Sequence, residues 1–198
     1  MLKRMSASKR KDELINALLE LAYEIGPDRL TTSDIAARIG VTQGTVFRHF
    51  KNKDELWVAA IRKVTDGLKS AWTENLLLSK EVDAKQRVAR LVRCQLELIQ
   101  NTPALPLILF SRELNTENEE LRTIIRETLF VFDSHLSSLI EEALTSRDQS
   151  EITVPDVAKY ITSLIQGQAV RWGLSDKSFD LVASGNQLSL KLIDVLLS

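Results

Sequence analysis

A short stretch of this chain, from Thr42 to Lys53, places hydroxyl, amide, aromatic and basic side chains close together. The amide of Gln43 and the hydroxyl of Thr45 are groups that can hydrogen-bond base edges in the major groove of DNA. The basic side chains of Arg48 and Lys53 can neutralise phosphates. This combination is typical of a surface that recognises double-stranded DNA.

Residues suited to catalysis or metal binding are sparse. The chain has two histidines, His49 and His135, and neither lies at a spacing that would hold a metal ion. There is no glycine-rich phosphate loop and no serine nucleophile motif, and adjacent glutamates on a helix point their carboxylates in different directions. We therefore expect no catalytic residue, no metal and no cofactor, and we predict that the protein is not an enzyme.

Three predicted helices position the candidate DNA-binding groups. Their expected bounds are Lys9 to Ile25, Ser33 to Ile39, and Thr42 to Phe50. Thr32 and Thr42 are the expected caps of the second and third helices, because a hydroxyl can accept from the unpaired amides of a first turn. Gly40 supplies the left-handed residue that ends the second helix. This order predicts a helix-turn-helix whose second helix enters the major groove.

The rest of the chain also has helical periodicity, without strand-like alternation of useful length. A long fourth helix follows Lys51-Asn52-Lys53, with Asp54 and Glu55 in its first turn. Later helices are predicted over residues 83–101, 104–112, 117–146, 155–174 and 178–197. The predicted fold is all-α with about nine helices. An N-terminal three-helix helix-turn-helix domain, residues 1–53, is joined by the long fourth helix to a larger helical effector and dimerisation domain, residues 54–198.

Charge is divided unevenly along the 198 residues. Residues 1–63 carry 12 Lys and Arg against 8 Asp and Glu, whereas residues 64–198 carry 14 against 19. Contact with phosphate is therefore expected at the amino-terminal end only. The single cysteine, Cys94, allows no internal disulfide, and neither a secretory signal nor an apolar run of about 18 residues is apparent. We expect a cytoplasmic protein without a membrane partner.

The motif GVTQGTVFRHFKNKDEL, from Gly40 to Leu56, resembles the signature of TetR-family transcriptional regulators. The glycines, hydroxyl residues, paired aromatics, histidine, lysine and acidic pair occur in the family's register, and the upstream TTSDIAARIG also matches. The resemblance implies that Thr32, Phe47, His49 and Lys53 lie near backbone phosphates. Phe47 stands where tyrosine is commoner in the family, which removes one hydroxyl contact worth on the order of 1 kcal/mol.

The candidate DNA contacts cluster on and around the predicted recognition helix. They are Thr32, Ser33, Thr42, Gln43, Gly44, Thr45, Phe47, Arg48, His49 and Lys53. Gln43 and Thr45 are the candidate base contacts, and Gly44 contributes by having no side chain to hold the helix away from DNA. The alternative for Gln43 and Thr45 is an ordinary surface helix.

The last two predicted helices place apolar residues at helical spacing. These are Val157, Ile161, Leu164, Ile165, Leu181, Leu188, Leu192 and Val195, and Gly167 and Gly185 among them permit close backbone approach. In the resembled family these two helices form a four-helix bundle with their mates, so the resemblance implies a homodimer. The alternative is that both helices pack within one subunit.

The middle helices resemble the family's effector-binding region. Leu107–Phe110 and Leu129–Phe132 are apolar on all sides and are expected to be buried all round. An effector bound there would be a hydrophobic or aromatic small molecule. The candidate effector-binding residues are Trp72, Gln95, Phe110, His135, Gln166 and Arg171. The alternative is that the aromatic residues form an ordinary core.

These features predict a DNA-binding transcriptional regulator. The leading hypothesis is a ligand-responsive repressor that binds a palindromic operator as a dimer. The alternative keeps the DNA-binding region but uses the acidic larger domain to recruit a protein partner, without a small-molecule effector. The operator, the effector, the sign of regulation and the oligomeric state on DNA are left open by the sequence.

Overall fold

The computed structural model describes residues 6–144 and 153–197. Within these ranges it contains ten helices and no strand, which confirms the predicted all-α class. The helices are α1 (Ala7–Ile25), α2 (Thr32–Arg38), α3 (Gln43–His49), α4 (Lys53–Leu78), α5 (Ala84–Asn101), α6 (Ala104–Phe110), α7 (Arg112–Glu117), α8 (Glu119–Leu144), α9 (Val154–Leu174) and α10 (Leu181–Leu196). No described helix is long and apolar enough to cross a membrane.

The tenth helix arises where a single helix was predicted over residues 104–112. The Ser111 hydroxyl accepts a hydrogen bond from the Leu114 amide at 3.1 Å, and this cap starts α7 directly after α6. Asn118 caps the next helix in the same way, because its Oδ1 accepts from the Leu121 amide at 2.9 Å. Two side-chain caps close together therefore produce one more helix in this region than its apolar periodicity indicates.

The chain forms two compact units. The first contains the described residues up to Thr65 together with Leu107–Arg126, and the second contains Asp66–Pro106 and the described residues from Glu127 onward. The helices α4 and α8 each contribute residues to both units. The division into domains at residues 53 and 54 stays a prediction.

In the first unit, α1, α2, α3 and the start of α4 enclose an apolar core. Its largest fully buried side chains include Leu14, Leu18, Leu30, Ile35, Leu56, Trp57 and Ile61. Two polar contacts join the segment Leu107–Arg126 to the elements around this core. Ser111 Oγ donates to Asp28 Oδ1 at 2.5 Å, and Arg62 lies 2.8 Å from Glu120. The loop after α1 and the first half of α4 are thereby tied to a segment distant in sequence.

In the second unit, α10 packs against both α5 and α9. The Gln100 side chain of α5 accepts a hydrogen bond from the Val182 amide in the first turn of α10 at 3.1 Å. A Cβ atom at Gly185 would lie 2.9 Å from both methyl groups of Leu96, which is fully buried in α5. The close approach that Gly185 permits is therefore within one subunit, in contrast to Gly167, which has nothing within 4 Å.

We expect Gly185→Ala to lower the free energy of unfolding. The added methyl group must displace Leu96 inside a packed core, which costs about 1–3 kcal/mol, and the better helix propensity of alanine offsets about 1 kcal/mol of this. Urea denaturation measures the change. Gly67→Ala in α4 is the matched control, because a Cβ atom there meets nothing within 4 Å. Equal stability of the two variants would contradict this account of the α5–α10 contact.

The expectation that Leu107–Phe110 and Leu129–Phe132 are buried all round is wrong. Phe110 is 55% exposed and Phe130 is 72% exposed, while Ile108 and Phe132 are buried. Each helix therefore buries one face only within this chain. An apolar pattern around a whole helix does not reveal whether its second face is covered by the same chain.

Candidate nucleic-acid interface

The helix-turn-helix consists of α2, a turn over residues 39–42, and α3. Ile35, Ala36 and Val46 are buried between the two helices and α1, whereas Ile39 is half-buried. Gly40 has φ +67, the left-handed conformation expected at the end of α2. These apolar contacts fix the angle at which α3 is presented, so the motif has the geometry that its sequence predicts.

The cap of α2 is Thr31, and the prediction that Thr32 caps it is wrong by one residue. The Thr31 hydroxyl accepts from the Asp34 amide at 3.2 Å, and Asp34 Oδ2 accepts from the Thr31 amide at 2.9 Å. This reciprocal pair is a capping box, which a threonine followed three residues later by an acidic residue makes possible. This spacing is the feature of the sequence that favours Thr31 over Thr32 as the cap of α2.

The same hydrogen bonds lower the pKa of Asp34, chiefly through the Thr31 hydroxyl and then through the Thr31 amide. A carboxyl group with a lowered pKa stabilises the fold above its ordinary pKa. The contribution is lost as the pH falls through the lowered value. The start of α2 is therefore held firmly at neutral pH.

Ion pairs tie the end of α2 to α1. Arg38 bonds Glu24 through both of its terminal nitrogens and lies 3.4 Å from Glu20. The hydrogen bond from Arg38 lowers the pKa of Glu24. Arg38 is thus engaged within the protein, which leaves phosphate contact to other basic residues of this region.

The amino end of α3 is exposed except where two side-chain contacts hold it. Gln43 Nε2 donates to Thr32 Oγ1 at 2.8 Å, and the Thr42 and Thr45 hydroxyls lie 3.2 Å apart. Thr42 occupies the cap position of α3, as predicted, but its hydroxyl makes no capping hydrogen bond. Gly44 faces open space, since a Cβ atom there would approach only Thr42 Oγ1, at 3.8 Å.

The remaining candidate DNA contacts lie in α2, in the second half of α3 and at the start of α4. Ser33 and Arg48 are exposed, Phe47 is 46% exposed, and His49 and Lys53 are half-buried. Among the residues that the structure describes, neither Arg48 nor Lys53 has an ion-pair partner within 4 Å. The first unit thus carries exposed polar groups at the Gln43 end of α3, and positive charges at the end of α3 and the start of α4.

Comparison with known proteins agrees with this geometry. A family model described as bacterial regulatory proteins, tetR family, matches residues 14–60. FadR from Bacillus subtilis, solved in complex with stearoyl-CoA, is 26% identical with a TM-score of 0.74, and the match covers 94% of this chain and 97% of that chain. The amino-terminal domain therefore belongs to the TetR family. The protein is a DNA-binding transcriptional regulator.

Curated relatives extend the similarity over most of the chain. The fatty acid metabolism regulator protein of Bacillus subtilis is 25% identical over 177 residues, which is 89% of this chain and 90% of the relative. The nucleoid occlusion factor SlmA of Shewanella pealeana is 24% identical over 168 residues, or 84% of each protein. These relatives are not enzymes, which agrees with the predicted absence of enzymatic activity.

Of the candidate effector-binding residues, the structure brings two together. The Trp72 indole nitrogen donates to Gln95 Oε1 at 2.8 Å, and the Trp72 and Phe132 ring centroids are 5.1 Å apart. Within the described ranges, no hydrogen bond or ion pair links Trp72 or Gln95 to the other candidates. His135 and Gln166 are half-buried, Arg171 is exposed, and Phe110 belongs to the first unit.

Proposed function

We propose that this TetR-family protein is a cytoplasmic, ligand-responsive repressor that binds a palindromic operator as a homodimer. The observation that carries the proposal is the exposed amino end of α3, where Gln43 and Gly44 are not covered by their own chain. A helix presented in this way fits the major groove. A repressor would act by occupying the operator and blocking the promoter.

The candidate residues of this surface fall into two classes of contact. Gln43 and Thr45 are positioned to contact base edges, because they lie in the first turn of the recognition helix. Arg48, His49 and Lys53 are the phosphate contacts, with the ring of Phe47 lying against the backbone. Lys53 is the first residue of α4, so its ammonium group and the free amides of that helix face the same anion.

Lys53→Ala is expected to weaken binding to all duplexes alike, by about 1 kcal/mol or roughly fivefold, because a phosphate contact carries no sequence information. The slope of log affinity against log salt concentration should become shallower by about one. Fluorescence anisotropy at several salt concentrations measures both. Lys69→Ala on the same helix, outside the interface, is the control and should leave the slope unchanged.

The homodimer is proposed to form through α9 and α10. Gly167, Val170 and Leu174 share one face of α9, and Leu188 and Val195 share one face of α10. Leu174 is 84% exposed and Val195 is 75% exposed. Apolar side chains this exposed along adjacent helices mark a protein interface. Pairing two subunits on this surface supplies the second half-site that a palindromic operator requires.

A hydrophobic effector is proposed to bind in the second unit. The structure of FadR with stearoyl-CoA makes a long-chain acyl thioester the first ligand class to test. In this chain, the buried Trp72 and Phe132 rings are the apolar groups proposed to meet such a ligand, and the two hydrogens of the Gln95 amide, which Trp72 does not use, are the polar group proposed to orient it. Such a ligand lowers operator affinity only if it prefers the conformation that binds DNA poorly.

Footprinting on the DNA upstream of the protein's own gene, followed by titration with stearoyl-CoA, tests the proposed function. We expect a protected two-fold symmetric site that stearoyl-CoA releases, and an increase in melting temperature from the ligand alone. Coenzyme A without an acyl chain is the control and should do neither. A protected site that none of a panel of acyl thioesters, fatty acids and aromatic molecules releases would contradict the ligand-responsive mechanism.

The curated relatives that are nucleoid occlusion factors favour a second candidate. In this second candidate, the protein binds DNA through the same surface, but its second unit recruits a protein partner and binds no small molecule. The two candidates differ in the ligand titration. The second candidate is favoured if a partner protein forms a stable complex with this protein on the footprinted DNA and no ligand releases the DNA.

A further inference from the structure

The hydrogen bond between Gln43 and Thr32 has a consequence for base recognition. It spans the turn from the first residue of α2 to the first residue of α3, with Gln43 Nε2 donating to Thr32 Oγ1 at 2.8 Å. Thr31 already caps α2, so the Thr32 hydroxyl is not needed for capping. Thr32 is 8% exposed, so a buried hydroxyl holds the terminal amide of Gln43, whose residue is otherwise exposed.

The bond fixes which hydrogen-bonding groups of Gln43 remain available. A side-chain amide has two hydrogens on Nε2 and one acceptor, Oε1. One hydrogen is used by Thr32, which leaves Oε1 and the second hydrogen for a partner outside the protein. A glutamine side chain that is held in one orientation before binding also loses less rotamer freedom when it binds.

We infer that Thr32 is a positioning residue that sets base specificity through Gln43. The fixed amide presents an acceptor and a donor side by side, and adenine matches both: its N6 amino group donates to Oε1 and its N7 accepts from Nε2. Guanine presents two acceptors at these places, and the carbonyl of Gln43 would oppose one of them. The inference rests on the proposed function, since it names the base that the same recognition surface selects.

A direct phosphate contact from Thr32 would have a different effect. Losing such a contact weakens binding to every duplex equally, because phosphates do not differ between sequences. Losing a positioning contact removes the preference for one base at one place in the half-site. The change in affinity must therefore be measured on each duplex separately. The overall loss of affinity does not distinguish a phosphate contact from a contact that positions Gln43.

The test uses the full-length dimer on the footprinted operator and on duplexes with each base pair of the half-site replaced in turn. The wild type should prefer adenine at one position by about tenfold or more. Gln43→Ala and Thr32→Val should both lose this preference at that same position, and the double variant should lose no more than Gln43→Ala alone. Thr32→Ser keeps the hydroxyl and should keep the preference, whereas Lys53→Ala should weaken all duplexes with the preference intact.

A readout without DNA keeps the inference testable even if Thr32→Val lowers stability. The side-chain amide proton signals of Gln43, assigned by their loss in Gln43→Ala, should be shifted from those of free glutamine in the wild type and in Thr32→Ser. They should move to the free positions in Thr32→Val. Equal weakening of all duplexes by Thr32→Val, or additive effects of the two substitutions, would overturn the inference. A wild type without any sequence preference would overturn the proposed function and the inference with it.

Discussion

Gly44→Leu is expected to reduce operator affinity by about 100-fold or more while leaving the melting temperature unchanged or slightly raised. A Cβ atom at Gly44 meets only Thr42 Oγ1, at 3.8 Å, so the fold has room for the side chain. The leucine projects from the recognition helix and holds it away from the groove. Two base contacts of about 1–3 kcal/mol each are lost together, which gives the expected reduction. Leucine also favours the helix by up to about 1 kcal/mol relative to glycine.

Anisotropy with the footprinted duplex and thermal denaturation measure the two quantities on the same preparation. Gly67→Leu is the matched control, because Gly67 also lies in a helix with open space around it but outside the DNA-binding surface. The control should bind the operator with wild-type affinity. If Gly44→Leu bound as tightly as this control, α3 would not be the helix that enters the groove.

Replacing Leu174 and Val195 together with glutamate is expected to convert the dimer to a folded monomer. Both side chains are largely exposed in the single chain, so their replacement leaves the packing of that chain intact. In a dimer interface they would be buried, and an unpaired charge there costs several kcal/mol per residue. A monomer contacts one half-site, so binding to the palindromic duplex should weaken by about 100-fold or more, since roughly half of the contacts are lost.

Sedimentation velocity measures the oligomeric state, and anisotropy on the whole operator and on an isolated half-site measures binding. Leu78→Glu is the matched control, because Leu78 is 75% exposed, like Val195, but lies at the end of α4. The control should remain dimeric. A Leu174→Glu, Val195→Glu protein that is still dimeric would show that the subunits meet on a different surface.

The sequence predicted the helix-turn-helix well because its determinants are local. Gly40 adopts the left-handed conformation that only a few residue types tolerate, and Asp54 and Glu55 lie in the first turn of α4, as charge placement indicates. The cap of α2 was misplaced by one residue, since Thr31 and Thr32 both carry a hydroxyl. The acidic residue three positions after Thr31 decides between them.

Contacts between residues distant in the sequence were not predictable in the same way. The Thr32–Gln43 bond depends on how α2 and α3 pack, and the Ser111–Asp28 bond joins residues that are 83 positions apart. The burial of Phe110 and Phe130 was predicted wrongly, because apolar periodicity records which residues are apolar but not what covers them. The candidate effector residues remain a prediction for the same reason.

Within the first unit, the segment Leu107–Arg126 is bonded to the elements on either side of the helix-turn-helix. Ser111 bonds Asp28 in the loop between α1 and α2, and Glu120 pairs with Arg62 in α4. A ligand that shifts this segment would have to break these contacts or carry α1 and α4 with it. The effect on operator affinity is then set by the difference in ligand affinity between the two conformations.

Selection of bound duplexes from a random-sequence pool by the purified dimer tests the central claim most directly. We predict enrichment of a two-fold symmetric sequence whose half-sites are separated by one or more whole helical turns, since each turn is about 10 base pairs. With Gln43→Ala, the enriched sequence should lose its preference at one position in both half-sites symmetrically. Enrichment of a single unrepeated site, or no change with Gln43→Ala, would contradict recognition by paired α3 helices.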